Sequence, residues 1–107
     1  MSIAHINTID ALEKAFGESG DKLVVVDYFA TWCGPCVSMG PKFQALATEF
    51  DGKAVFIKVD VDQAEDAAEK AEIQVLPTFV LYKSGKEVTR MSGASEAKLR
   101  DLIQANC

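Results

Sequence analysis

Histidine occurs once in this chain, tryptophan once, and proline and cysteine three times each. Each scarcity closes off a class of protein. A secreted disulfide scaffold carries a larger, even set of cysteines, so three argue against one. A structural zinc site takes about four ligands, commonly from a second C-x-x-C or a pair of histidines. Beyond Cys33 and Cys36 only Cys107 and His5 remain, at opposite ends of the chain and without ligand spacing, so no metal is expected. A Cys–His hydrolase would need His5 beside Cys33, and nothing in the sequence brings them together. There is no run of Lys or Arg, and 16 acidic against 11 basic residues leave a net charge of −5. That field repels phosphate backbones and anionic lipid, which argues against nucleic acid and membrane as partners. The apolar stretch Leu23–Val26 is broken at once by Asp27, so no segment approaches a membrane span. The first ten residues hold Asp10 and no basic cluster, unlike a signal or transit peptide, and a cytoplasmic location is expected. No repeat or Pro/Gly/Ser-rich linker interrupts the chain, so one domain over residues 1–107 is expected.

What is present is an ordinary core. Hydrophobic residues make up 49% and charged residues 25%, a balance that excludes intrinsic disorder. Residues 2–6 read as a short edge strand. Asn7 or Thr8 caps a helix through Phe16, with Ile9, Leu12 and Phe16 on one stripe and Gly17 and Gly20 ending it. Residues 23–30 are β-rich and almost continuously apolar, as in a strand buried on both faces. Residues 34–50 read as a long helix, kinked at Pro41, with Phe43, Leu46, Ala47 and Phe50 at helical spacing. A second central strand (54–60) and an Ala- and Glu-rich helix (63–71) follow. Residues 77–82 and 86–91 form a hairpin around Ser84-Gly85. Ser95 caps a last helix to about Gln104, with Leu99, Leu102 and Ile103 facing inward. The order β-α-β-α-β-α-β-β-α implies an α/β fold: a mixed sheet of about five strands with about four helices on its two faces.

Trp32-Cys33-Gly34-Pro35-Cys36 falls where a buried strand gives way to a helix. At a helix N-terminus the unpaired N–H groups and the positive end of the dipole favour a thiolate at Cys33 over a thiol. The i, i+3 spacing brings both sulfurs to one side of the first turn, close enough to join. Cys33 then attacks a disulfide, and Cys36, one turn further in and more buried, resolves the mixed disulfide intramolecularly. The competing reading is a pair of buried structural cysteines that never react.

The whole chain resembles the thioredoxins. The resemblance rests on WCGPC at 32–36 within the strand VVVDYFATWCGPC, Pro41 in the next helix, KVDVD at 58–62, LPTF at 76–79, KSGKEV at 83–88 and SGAS at 92–95. It implies the thioredoxin fold and a protein-disulfide reductase that supports electron transport and cell redox homeostasis. Such a protein needs no cofactor beyond the Cys33–Cys36 disulfide and is re-reduced by a thioredoxin-reductase-type partner. Asp27, flanked by valines and Phe29, pays a desolvation penalty that raises its pKa. The resemblance makes it the acid–base group for Cys36. The alternative is a structural ion pair with Lys58, and the two are compatible, since Lys58 would tune Asp27. The resemblance also implies a cis Leu76–Pro77 bond lying against the disulfide, with the backbone of Val75 free to pair with an extended substrate.

Trp32, Gly34, Pro35, Val75, Leu76, Pro77, Gly93 and Ala94 would frame Cys33 with a flat apolar surface for partner proteins. Taken alone, Trp32 reads equally as a half-buried packing residue, and Gly93 as a turn glycine. Two positions depart from the thioredoxin pattern. Phe29 stands where many have Trp or Ser, a difference expected to touch packing only. Val37 stands where Lys or Arg is usual, removing a positive charge near Cys33. Cys107 lies outside the motif; a monomer with an inert terminal thiol is expected, and a Cys107-linked dimer is the alternative. Two other functions compete. A disulfide isomerase or oxidase is disfavoured by Gly34-Pro35, since oxidising relatives tend to carry His at the second of these positions. A non-catalytic clamp would use the apolar surface alone.

Overall fold

The computed structural model describes residues 3–107. Ser2, the first residue of the expected edge strand, lies outside them. The elements follow the expected order: β1 (Ala4–Ile6), α1 (Ile9–Glu18), β2 (Leu23–Phe29), α2 (Gly34–Glu49), β3 (Ala54–Asp60), α3 (Glu65–Lys70), β4 (Thr78–Lys83), β5 (Lys86–Ser92) and α4 (Glu96–Asn106). The five strands form one sheet in the order β1-β3-β2-β4-β5. β1, β3 and β2 are parallel to one another, while β4 runs antiparallel to β2 and β5 antiparallel to β4.

β2 owes its central place to Leu23-Val-Val-Val, residues that suit a pleated surface without water on either side. Alternation along it sorts the core. Leu23 and Val25 join Met39, Phe43, Leu46, Phe79, Leu99 and Ile103 beneath α2 and α4. Val24, Val26 and Tyr28 join Leu12, Ile57, Val59, Ala67 and Tyr82 beneath α1 and α3. The expected helices on both faces are therefore present. By the same period of two, Asp27 and Phe29 stand on the α2 side.

Local chemistry moves several boundaries. α1 runs through Gly17 because Ser19 caps it, its N–H donating to Ala15 and Phe16 carbonyls and its hydroxyl to Ala15 at 2.7 Å. Gly20, at φ 61°, then turns the chain away. α3 is shorter than the expected 63–71, since the N–H groups of Gln63 and Ala64 are both spent on the Asp60 carbonyl in a turn that precedes it. Ser84 joins Gly85 at positive φ (51° and 78°), the pairing that a two-residue hairpin of matching twist requires. Pro41 sits inside α2, which remains helical from Gly34 to Glu49, and costs it the donor to the Val37 carbonyl.

Phe43, two residues beyond Pro41, is fully buried and meets the rings of Phe56 (centroids 5.4 Å apart) and Phe79 (5.7 Å), tying α2 to β3 and β4. Phe43→Ala is expected to lower unfolding stability by about 3–5 kcal/mol in urea titration. A loss below about 1 kcal/mol would mean that α2 does not depend on this cluster.

Candidate active site

β2 ends at Phe29, and a turn in which the Cys33 N–H donates to the Ala30 carbonyl (3.2 Å) carries the chain into α2. Cys33 is the N-cap of α2. Its Sγ accepts the Cys36 N–H at 3.2 Å, so the sulfur occupies the place a capping oxygen would take. Pro35 falls in the first turn, where its missing N–H costs nothing. Cys33 and Cys36 are joined as a disulfide, with Cα atoms 5.2 Å apart. Both are buried, Cys36 (3% exposed) slightly deeper than Cys33 (6%). They form a small cluster with Ala30, against which Phe29, Val61 and Leu76 pack. Once reduced, a sulfur at this position is stabilised as thiolate by the helix terminus and by the N–H it accepts.

Asp27 is 1% exposed, and neither carboxyl oxygen has a hydrogen-bond partner. Burial pushes its pKa up to about 7, against a smaller downward pull from the Lys58 ammonium. The ion pair that the sequence allows is not made. Asp27 and Lys58 are register partners on adjacent strands, but the Lys58 ammonium lies 4.4 Å from the centre of the Phe29 ring, where it keeps water that a site beside Asp27 would deny it.

The expected docking residues are brought to one end of the sheet. The Leu76–Pro77 peptide is cis. Leu76 packs on the cysteine cluster, and the Pro77 carbonyl accepts the Gly93 N–H at 3.0 Å, which ties the two loops together. Gly93, at φ 95°, takes the left-handed conformation that side chains resist. Val75 is exposed, its N–H without a partner among the described residues and its carbonyl accepting the Thr78 hydroxyl. Gly34, Pro35 and Ala94 are exposed as well. Trp32 is 71% exposed and so is not a packing residue; its indole N–H donates to Asp62 at 2.8 Å. Val37 adds another exposed apolar side chain on the first turn of α2. Two contributors escaped the sequence reading: Asp62, which anchors Trp32, and Thr78, which anchors Val75. Both lie inside the quoted stretches 58–62 and 76–79, but a hydrogen bond across 30 residues leaves no mark in local spacing.

His5, in register with Lys58 on β1, is no part of the cysteine cluster. Among the described residues there is no group of three or more His, Cys, Asp or Glu arranged to hold a metal, and no helix long and apolar enough to cross a membrane. Cys107 is an exposed free thiol whose N–H closes α4 on the Ile103 carbonyl; burial pushes its pKa up, with Lys53 and Lys83 pulling the other way. A cleft of about 630 Å³ lies elsewhere, between α1, α3 and the β4–β5 hairpin, and no cysteine lines it.

Comparison with known proteins agrees with this geometry. The family model described as Thioredoxin matches residues 6–105. Curated relatives include a thioredoxin of Echinococcus granulosus, 52% identical over 91% of this chain and 88% of its own length. Another is thioredoxin-2 of Saccharomyces cerevisiae, 51% identical over 82% and 84%. Among solved structures, Fasciola hepatica thioredoxin superposes with a TM-score of 0.95 at 48% identity, covering 98% of this chain and all of that one.

The Asp27 carboxyl yields a pH signature. An unfolded Asp titrates near 3.8 and the native one near 7, so between those values the unfolded chain releases a proton that the native chain keeps. The contribution of Asp27 to stability is therefore whole below about pH 4 and lost as pH rises towards about 7. Asp27→Asn removes that loss. Urea unfolding of the oxidised protein should show the variant gaining on the wild type through this window, levelling at about 2–4 kcal/mol above pH 7. A difference that stays flat across the window would contradict the assignment.

Proposed function

The chain belongs to the thioredoxin family and is a thiol–disulfide oxidoreductase, and from that premise we propose that it is a protein-disulfide reductase in which Cys33 attacks and Cys36 resolves. The observation that carries this reading is the Cys33–Cys36 disulfide at the N-terminus of α2, with the Cys36 N–H directed at the Cys33 sulfur. The Cys33 thiolate attacks one sulfur of a substrate disulfide. A Cys33–substrate bond forms, the substrate S–S bond breaks, and the departing sulfur takes up a proton from water. Asp27, ionised, accepts the Cys36 proton, and the new thiolate attacks the Cys33 sulfur. The second substrate sulfur leaves as a thiolate and takes a proton from water, two electrons have passed to the substrate, and the Cys33–Cys36 bond has re-formed. A pKa of about 7 suits Asp27 to this task, because it both takes and returns a proton near neutrality. Lys58 tunes that carboxyl through its charge.

Protein substrates dock on Trp32, Gly34, Pro35, Val75, Leu76, Pro77, Gly93 and Ala94. Support comes from the exposed Trp32 and Val75 side chains and from the free Val75 N–H, a donor for an extended substrate backbone. Residues 1–107 act as one domain and a monomer, with no metal or added cofactor. A thioredoxin reductase returns the two electrons. The reductase reading carries with it a reducing compartment, the cytoplasm. The raised pKa of Cys107 argues against its use as a nucleophile, and a Cys107-linked dimer is the lesser reading.

Two measurements test the proposal. Cys36→Ser should accumulate a mixed disulfide with a protein substrate, visible by mass spectrometry, while Cys33→Ser should form none and lose turnover by at least about a thousandfold. A Cys33→Ser variant that still reduces protein disulfides would overturn the assignment. Separately, the potential of the pair, followed by Trp32 fluorescence in thiol/disulfide buffers, should fall near about −270 mV. A value near about −180 or −120 mV would make the protein an isomerase or an oxidant instead.

A further inference from the structure

Neighbouring strands lie about 4.8 Å apart, and residues in register point to the same face. Lys58 stands directly across from Asp27 on β3 with a side chain long enough to reach it. Opposite charges in that relation ordinarily pair. Here they do not: both Asp27 oxygens are orphaned, and the ammonium has gone two residues along the sheet to the face of Phe29. We propose that Phe29 is a positioning residue for Asp27: its ring takes the Lys58 ammonium onto its face and so leaves the Asp27 carboxyl without an ion-pair partner.

Phe29 is suited to this by its place at the end of β2. It is half-buried, so an ammonium over it keeps part of its water while meeting the negative face of the ring. Phe29 also packs against the Cys33–Cys36 cluster. From β4, Asp27 meets Phe79, its register partner. α2 turns Cys36, Met39 and Phe43 inward, none of them charged while the disulfide is closed. Asp60, in register with Phe29 and two residues beyond Lys58, accepts the Asp62 N–H through Oδ1 at 2.9 Å and is not ion-paired with Lys58. His5 adjoins Lys58 from the far side, on β1. Among the described residues Lys58 is the one charge that acts on Asp27, and its distance is what Phe29 sets. The inference rests on the acid–base reading of Asp27 for its functional meaning, though not for its test.

The oxidised protein suits the test, because neither active-site sulfur titrates. The Asp27 carboxyl is followed by carbon-13 NMR against pH in the wild type, Phe29→Leu, Phe29→Trp, Lys58→Met and the Phe29→Leu, Lys58→Met double variant. Phe29→Leu should lower the midpoint by roughly one unit as the ammonium turns to the carboxyl, and Phe29→Trp should retain the wild-type value. In the Lys58→Met background the leucine substitution should do nothing. An unchanged midpoint in Phe29→Leu overturns the proposal. So does an equal fall with and without Lys58, which would mean water entering the vacated space. The wild type offers a check free of folding: ring current should shift the Lys58 ε-protons upfield, and unshifted protons overturn the proposal. The pH dependence of mixed-disulfide resolution in the same variants speaks to the acid–base reading alone. If its midpoint fails to follow that of Asp27, the acid–base role falls and the positioning of Lys58 stands.

Discussion

From Leu23 to Tyr28 β2 is buried on both faces, and the rest of the site depends on that. Parallel β3 and antiparallel β4 pair with both of its edges, and helices cover both sides, so a slip by one residue would exchange the side chains of its two layers and carry Asp27 beneath α1 and α3. The position of Cys33 at the head of α2 is then settled by a short turn from a fixed strand end. A redox-active cysteine pair held this way needs no pocket. Its helix supplies the electrostatic bias, and the second sulfur arrives one helical turn later.

The same enclosure explains the chemistry of Asp27. A carboxyl in that layer loses its hydration, and the Coulombic pull of one Lys on a neighbouring strand does not compensate for it. An orphaned buried carboxyl is an expense in any structure, and a purely structural role would be served better by a leucine. In the proposed mechanism its burden on stability is the counterpart of a proton lent near neutral pH.

Much of this was legible beforehand because the signals were local. Strand β2 follows from a run of β-branched residues, the N-caps Thr8 and Ser95 from hydroxyls placed ahead of apolar stripes, and the cysteine pair from its spacing at a strand–helix junction. The burial of Asp27 follows from its neighbours. The features that stayed hidden are those made between distant segments. The Trp32–Asp62 bond, the tie from Gly93 to Pro77 and the choice of Lys58 between a carboxyl and a ring are decided by which strands become neighbours. A Lys opposite an Asp reads as an ion pair until the depth of each group is known. The early end expected for α1 failed for another reason: a serine cap two residues beyond Gly17 outweighed the poor helical preference of one glycine.

The loop tie between Pro77 and Gly93 is made entirely by backbone atoms, an N–H and a carbonyl. The Val75 and Ala94 side chains take no part in that bond, beside which the Thr78 and Ser92 hydroxyls meet at 3.3 Å. Substitution at Val75 or Ala94 would redraw the proposed docking surface while the Pro77–Gly93 backbone bond stays in place. Under the proposed docking mode, reactivity and partner choice are separately mutable traits, so the docking surface can drift without touching the cysteine pair.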